Sequence, residues 1–370
     1  MSAAVSDPAP GRRIRVAIVG AGVGVEHLLG YVLNSAVYDV ATVCDLDRLR
    51  AEALVALVPT ARSATDVDRV LADPTIDLVS VCTPPFTHLD LALRALDGGK
   101  HVVVEKPVAA SPAEVDRLSA AASAAGRLVV PVFQYRFARG PRQLRRLIDS
   151  GLTGPPVAAA LEVHWDRGAD YYAVPWRGRR ATELGGTVMS HAIHAHDLLT
   201  YLMGPVVRVR AEVGALVHRT EVEDTAAVTM RLDGGALATS SATTGAAGNT
   251  SRYRFVFAGL TAQSGTTPYA PGEDPWTFTA RDPAAQDKVD AIVRDEGVPR
   301  PNGFAGLFES LGPALTGASA APLTLADAHA ALSLATAIYH SAETGETVDL
   351  PLPTDHPAYS RTPRAEGVDG

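Results

Sequence analysis

The sequence predicts two domains of different class: an α/β domain built on a parallel sheet, then an α+β domain with a large, mostly antiparallel sheet. Three observations carry this reading. The chain has 370 residues, and compact domains hold roughly 100–200 each. From about residue 14 to 131, short apolar runs alternate with longer amphipathic ones. After Phe137 the runs become apolar-polar alternations joined by Gly, Asp and Asn turns.

In the first half the strands are "IRVAIVG", "DVATVCD", "IDLVSVCTP", "KHVVVEKP" and "RLVVPVFQ". Each is a short, nearly continuous apolar run, as expected of strands covered on both faces of a parallel sheet. The Ala- and Leu-rich segments between them have helical spacing and supply the cover. "RGPRQLRRLIDSGLTG" reads as a connecting helix ending at Gly151. The alternating stretches "VAAALEVHW", "VVRVRAEVGALVH", "TAAVTMRLDGGALATSSATT" and "RYRFVFAGLTAQSG" follow, linked by short turns that make neighbours antiparallel. Two long helices, "GTVMSHAIHAHDLLTYLMG" and "TLADAHAALSLATAIYHSAETG", interrupt and close this domain. The expected boundaries are a loose lead-in over 1–13, a first domain over 14–134, a second over 135–352 and a tail over 353–370.

Hydrophobic residues make up 46% of the chain, and no run approaches the roughly 18 apolar residues of a membrane span. The N-terminus lacks the apolar core of a signal peptide. The two cysteines, Cys44 and Cys82, build neither a disulfide framework nor a zinc site, so a reducing cytoplasm is expected. A formal charge of -8 without basic clusters argues against nucleic acid, whose phosphates would be repelled. A small-molecule partner is expected instead.

"RVAIVGAGVGVEH" carries the first chemistry. A glycine turn between strand and helix lets backbone approach a pyrophosphate, which the N–H groups at the helix start then bind. Here the backbone from Gly20 through Ala21, Gly22, Val23, Gly24 and Val25 would form that turn. The usual G-x-G-x-x-G spacing would place the third glycine where Val25 stands, so the turn is a variant. Asp45 ends the second strand roughly twenty-five residues after Gly20, where a carboxylate accepts hydrogen bonds from an adenosine ribose. It would repel a 2′-phosphate, favouring NAD over NADP, with Arg48 close enough to keep NADP open. Asp45 has a second reading, as a cap for the helix starting near Asp47. Together these features point to a Rossmann-type, NAD(P)-binding first domain, with a plain tight strand-to-helix turn as the alternative.

"VSVCTPPFTHLDLALRALDGGKHVVVEKPVA", "WRGRRATELGGTVMSHAIHAHDLL" and "AIYHSAETGETVDLPL" closely resemble, in order, the motifs of the glucose-fructose oxidoreductase, inositol dehydrogenase and rhizopine-catabolism (Gfo/Idh/MocA) family. The resemblance runs from about Ile14 to Leu352. It implies that the variant turn is a working nicotinamide site. It also implies that Thr83, Pro84 and His88 line the cofactor's path, that Glu105 and Lys106 lie near the nicotinamide, and that Pro107 is a cis-type turn proline.

By the same resemblance, Lys106 and His194 are the catalytic pair. Lys106 orients the reacting oxygen and stabilises charge developing there, while His194, an imidazole with an ordinary pKa of about 6.5, moves the hydroxyl proton. The family typically carries Asp-x-Gly-x-His-x-x-Asp on this helix. Here the matching residues are Ser190, Ala192, His194 and Asp197. Ser190 in place of the Asp is a departure, and the adjacent His191 is a candidate to share the missing role. Tyr135 and Arg136 of "QYRF" would face the substrate, as would Trp176 and Arg177, whose alternative is a packed indole and a structural salt bridge. "HAIHAHD" also raises a metal site, but His196 points away from His191 and His194, so no metal is assigned. Trp276 reads as part of a loop over the sheet.

The implied activity is hydride transfer between NAD(P) and a secondary alcohol or ketone of a sugar, inositol or related polyol. A redox-neutral sugar-modifying enzyme with tightly held NAD, and a non-catalytic dinucleotide-binding regulator, are the alternatives. The resemblance further implies a homodimer or homotetramer joined through the open face of the second sheet.

Overall fold

The computed structural model describes residues 12–295, 297 and 299–361. The chain divides into two compact units: one holds the residues up to Ala109 with 113–134 and 304–329, the other holds 110–112, 135–303 and the residues from Ala330 onward.

In the first unit, β1 (Ile14–Val19), β2 (Tyr38–Cys44), β3 (Arg62–Ala64), β4 (Leu78–Val81), β5 (His101–Val104) and β6 (Val129–Pro131) form one sheet. Its order is β3-β2-β1-β4-β5-β6, with every pairing parallel. Val and Ile side chains at Val16, Ile18, Val79, Val81, Val102 and Val104 are fully buried, which is why these runs read as continuous apolar stretches. β3 lies outside the sequence expectation: it is three residues at the sheet edge with no buried side chain. The order reverses between β1 and β4, and in open α/β sheets ligands bind beyond the strand ends at such a point.

The contiguous 135–352 segment expected from the sequence is interrupted. Residues 304–329 pack with the first unit because Phe308 stacks on Tyr31 at 3.9 Å and 9°. Gly30 makes room for it, since a Cβ there would lie 2.8 Å from the Phe308 ring. Asn34 Nδ2 donates to the Ala305 carbonyl at 2.9 Å and the Tyr38 hydroxyl to that of Phe308 at 2.8 Å.

In the second unit, β7 (Pro156–Asp166), β8 (Val206–Gly214), β9 (Thr225–Leu232), β10 (Leu237–Thr243), β11 (Gly245–Phe257), β12 (Leu260–Gln263), β13 (Thr277–Ala280) and β14 (Val348–Asp349) form the second sheet. The order is β13-β12-β11-β7-β10-β9-β8-β14. All pairings are antiparallel except β7 with β10. Along β9, Ala226, Val228, Met230 and Leu232 are buried while Ala227, Thr229 and Arg231 are exposed, the alternation of a sheet covered on one face. β13 and β14, short strands at the two edges, were not legible as strands. Trp276 belongs to the core, stacked on Phe255 at 5.9 Å with its indole N–H donating to the Pro271 carbonyl at 2.9 Å.

The chain ends also differ from expectation where they are described. Arg12 of the lead-in pairs with Asp77 at 2.6 Å, and Ala358 and Tyr359 of the supposed tail are buried. The rest of the lead-in, 1–11, and of the tail, 362–370, lies outside the described residues. Among the described residues no helix is long and apolar enough to cross a membrane.

Candidate active site

β1 runs into Gly20, whose φ of +100° and Cβ position 2.6 Å from the Cys82 carbonyl group admit only glycine. The loop after β1 and the loop after β4 therefore touch at the reversal of strand order. The next helix, Gly24–Leu33, begins at Val23 with no side-chain cap, so its first N–H groups suit an anion. A Cβ on Gly24 would lie 3.0 Å from Ile18 Cγ2. Gly24 thus gives the close helix-strand packing that the third glycine gives at the usual spacing. Around Gly22 a Cβ would meet nothing within 4 Å, so this stretch of backbone is bare.

Asp45, half-buried at the end of β2, accepts from the Ala21 N–H at 2.7 Å and the Asp47 N–H at 2.8 Å. It ties the glycine turn to the second strand. The helix cap is Asp47, which accepts from Leu49 and Arg50. An ionised carboxylate has about four acceptor sites, so Asp45 retains capacity for ribose hydroxyls.

Beyond β4, Thr83 Oγ1 lies 2.6 Å from Thr87 Oγ1. The His88 ring, fully buried, faces the Thr83 and Pro107 carbonyls at 2.7 Å each. Both carbonyls would be satisfied only by the imidazolium, but burial dominates and lowers the pKa. This histidine joins the loop after β4 to the Lys106–Pro107 peptide, which is cis. Glu105, buried at the end of β5, takes His27 Nε2 at 3.0 Å and the Lys106 N–H at 3.2 Å. His27 Nδ1 lies 3.3 Å from Ser80 Oγ, which in turn meets the Tyr31 hydroxyl at 2.7 Å. Lys106 itself is half-buried.

The second unit places its polar groups on and around a helix that opens with a π turn, Val188–Ala192, and continues as α-helix over Ile193–Met203. Its start is held by Glu223, which accepts from the N–H groups of Gly186 at 2.9 Å and Val188 at 3.0 Å. The Tyr339 hydroxyl donates to the same carboxylate at 2.7 Å. His194 is buried with its ring 4.8 Å from that of Tyr135. His191 meets Trp165 edge-on at 5.0 Å and lies 3.4 Å from the Tyr171 hydroxyl. His196 sits against Ser240 Oγ at 3.0 Å, and burial pushes its pKa down to about 4. Among the described residues no group of three or more His, Cys, Asp or Glu could hold a metal ion.

Arg136, Arg177 and Arg167 lie around this helix. Arg136 forks onto Asp197 at 2.9 and 2.6 Å, with side chains 10% and 1% exposed. The two residues expected to face the substrate thus meet each other in an internal ion pair. Arg177 lies over the rings of Tyr171 at 3.8 Å and Trp176 at 4.1 Å and pairs with buried Glu183 at 3.3 Å. Arg167 stands among Trp165, Tyr171 and Tyr269. Ser190 donates toward Glu183 Oε1 at 3.1 Å and the Gly185 carbonyl at 3.3 Å.

Residues 14–133 match the family model described as "Oxidoreductase family, NAD-binding Rossmann fold", and residues 142–262 match the "GFO/IDH/MocA C-terminal domain". Together they span more than half of the chain. The chain belongs to the GFO/IDH/MocA family. Residues 14–133 are that family's NAD-binding Rossmann domain, and the glycine turn, the uncapped helix start and Asp45 fit the dinucleotide.

Curated relatives include D-glucoside 3-dehydrogenase of Escherichia coli (strain K12), 30% identical over 200 residues, covering 53% of this chain and 56% of the relative. Myo-inositol 2-dehydrogenase of Thermotoga maritima is 27% identical over 232 residues, covering 60% and 66%. The chain thus matches less than two thirds of the length of these relatives. Among solved structures, the WlbA dehydrogenase from Bordetella pertussis, in complex with NADH and UDP-GlcNAcA, superposes with a TM-score of 0.81 at 26% identity, over 92% of this chain and 100% of that one.

Within this GFO/IDH/MocA chain, the carboxylate beside Ser190 belongs to Glu183, a residue the motif reading passed over. Arg167 and His27 were missed as well. "WDRGADYY", an arginine between aromatic residues, was the available signal for the first; the second stood in plain view beside the variant turn.

Proposed function

We propose that this protein is an NAD-dependent oxidoreductase acting on a secondary alcohol or ketone of a sugar, inositol or related polyol. The observation that carries the reading is the position of Lys106. It follows β5, the strand next to β4, at the same carboxyl edge of the sheet where the glycine turn and Asp45 form the dinucleotide site. A half-buried cation there is placed to orient an oxygen and to stabilise negative charge on it. The bound nicotinamide would supply or accept the hydride. His194 takes the hydroxyl proton in oxidation and returns it in reduction, its ring plane kept in place by Tyr135. Asp45, by charge, selects NAD(H) against NADP(H). The activities in the names of the glucoside and inositol relatives support the substrate class.

The test is turnover of NAD+ and NADP+ with a panel of sugars, inositols and sugar acids. A panel member should reduce NAD+ in preference to NADP+. Replacing the general acid-base group, His194→Ala, should lower turnover by about 10²–10⁴. Lys106→Ala should do likewise, NADH binding should survive both changes, and the double variant should lose less than the two losses combined. If His191→Ala is the more damaging histidine change, the acid-base role belongs to His191. Silence across the whole panel would overturn the proposal.

A further inference from the structure

Around the second unit's helix, Arg136 is met by Asp197 and Arg177 by Glu183. Arg167 is met by no carboxylate among the described residues. It is half-buried, and its guanidinium carbon lies 5.0, 5.1 and 4.9 Å from the ring centroids of Trp165, Tyr171 and Tyr269. Its Nη1 donates to the Tyr269 hydroxyl at 2.8 Å and the Asp166 carbonyl at 3.2 Å. Nε is buried and donates to nothing among the described residues, and Nη2 likewise has no protein acceptor there.

Three aromatic faces offset part of the cost of withdrawing this charge from water, but they do not neutralise it. They also hold the guanidinium in one place. The edge formed by Nε and Nη2 is thereby left as the fork that grips two oxygens of one anion. The location ties this edge to the chemistry. Trp165 and Tyr171 are also the rings against His191, and the charge of Arg167 acts on the Tyr135 hydroxyl, whose ring packs at a tilt against His194.

We infer that Arg167 receives an anionic group of the substrate, so that the preferred substrate is a sugar or polyol carrying a carboxylate or a phosphate. This rests on the polyol reading above and narrows it. Glu273 acts on the same Tyr135 hydroxyl but makes no ion pair with Arg167, so a neutral polyol would leave the guanidinium with no anion in contact, whereas an anionic one completes it and is fixed by the same contact relative to His191 and His194.

The experiment compares matched probes on the full chain saturated with NADH: D-glucose against D-glucuronate and against D-glucose 6-phosphate, by calorimetric titration. At least one anionic probe should bind about tenfold or more tightly than glucose, the usual weight of a charge-assisted hydrogen bond. Which of the two it is separates carboxylate from phosphate. Arg167→Gln should erase that preference, the anionic probes then binding no more tightly than glucose, while NADH binding stays as it was. Arg167→Lys, which keeps charge but loses the planar fork, should retain part of it, and this variant decides the matter if the glutamine variant does not fold. Added salt should weaken only the anionic probes. Equal binding of neutral and anionic probes, or a preference that survives Arg167→Gln, would overturn the inference while the polyol reading stands. If no polyol of either kind binds or is oxidised, the parent reading fails and this one falls with it.

Discussion

His27 Nε2 lies 3.0 Å from Glu105 Oε1, with the imidazole fully buried and the carboxylate 8% exposed. Burial alone would raise the Glu105 pKa, but the hydrogen bond and charge of His27, with the charges of Lys106 and His88, together hold it below the ordinary 4.5. The carboxylate before Lys106 therefore stays ionised because a histidine from the glycine-turn helix reaches it.

Removing His27 takes a hydrogen bond from buried Glu105 and leaves it the Lys106 N–H at 3.2 Å. His27→Ala should lower unfolding free energy by about 3–5 kcal/mol, read by urea denaturation. Because the folded-state pKa of Glu105 is depressed, its stabilising contribution is full above pH 4.5 and is lost as pH falls through the lower folded value. The variant should show a shallower acid limb than the parent chain. An unchanged denaturation midpoint would dismiss the pair as a stabilising element.

Two glycines of the same turn should respond in opposite ways to the same substitution. Gly20→Ala puts a methyl group 2.6 Å from Cys82 backbone at a φ of +100°, and should cost about 1–3 kcal/mol or more. Gly22→Ala meets nothing within 4 Å, so thermal stability should hold while NADH affinity falls. A stable Gly20→Ala, or a Gly22→Ala that binds NADH normally, would contradict this division.

Arg136→Ala should damage folding rather than substrate affinity, since Asp197 is 1% exposed and would lose the two hydrogen bonds of the guanidinium fork, at about 3–5 kcal/mol. Replacing both, Arg136→Met with Asp197→Leu, should recover much of that loss. A stable Arg136→Ala with a raised KM would return the arginine to the substrate.

Glu223 gives a pH signature of the opposite sign. Burial raises its pKa to about 7, against hydrogen bonds from Tyr339, Val188 and Gly186. Between pH 4.5 and about 7 the folded state holds a proton that the unfolded state has released, so its contribution to stability falls as pH rises across that window. Melting temperatures across this range should decline from this source in the parent chain, and the slope should flatten in Glu223→Gln. Equal slopes would show that the group does not titrate there.

The parts of the fold legible in the sequence are those whose signal is local. β1, β2, β4, β5 and β6 are continuous apolar runs, and the alternation of β9 and β10 marks a half-covered sheet. Alternation fixes the face of a strand but says nothing of its direction, so the parallel pairing of β7 with β10 could not be read. β3 carries too little apolar surface to register. In the site, residue types and motif order point to the nucleotide turn and the histidine helix. The pairing of charges does not follow from them: "QYRF" and "HAHD" give no hint that Arg136 and Asp197 meet, and nothing in "ATELGG" announces that Glu183 lies beside Ser190.

The stacking of Phe308 on Tyr31 bears on how this gene can be cut. A fragment ending at residue 134 carries every strand of the parallel sheet, yet lacks the segment 304–329 that packs with it. It would present Tyr31, Tyr38 and the notch at Gly30 to water, an open aromatic patch of the sort that drives aggregation. The nucleotide-binding unit is therefore not a transplantable module. A graft into another scaffold would need the distant helix supplied too, either on a separate peptide or by circular permutation.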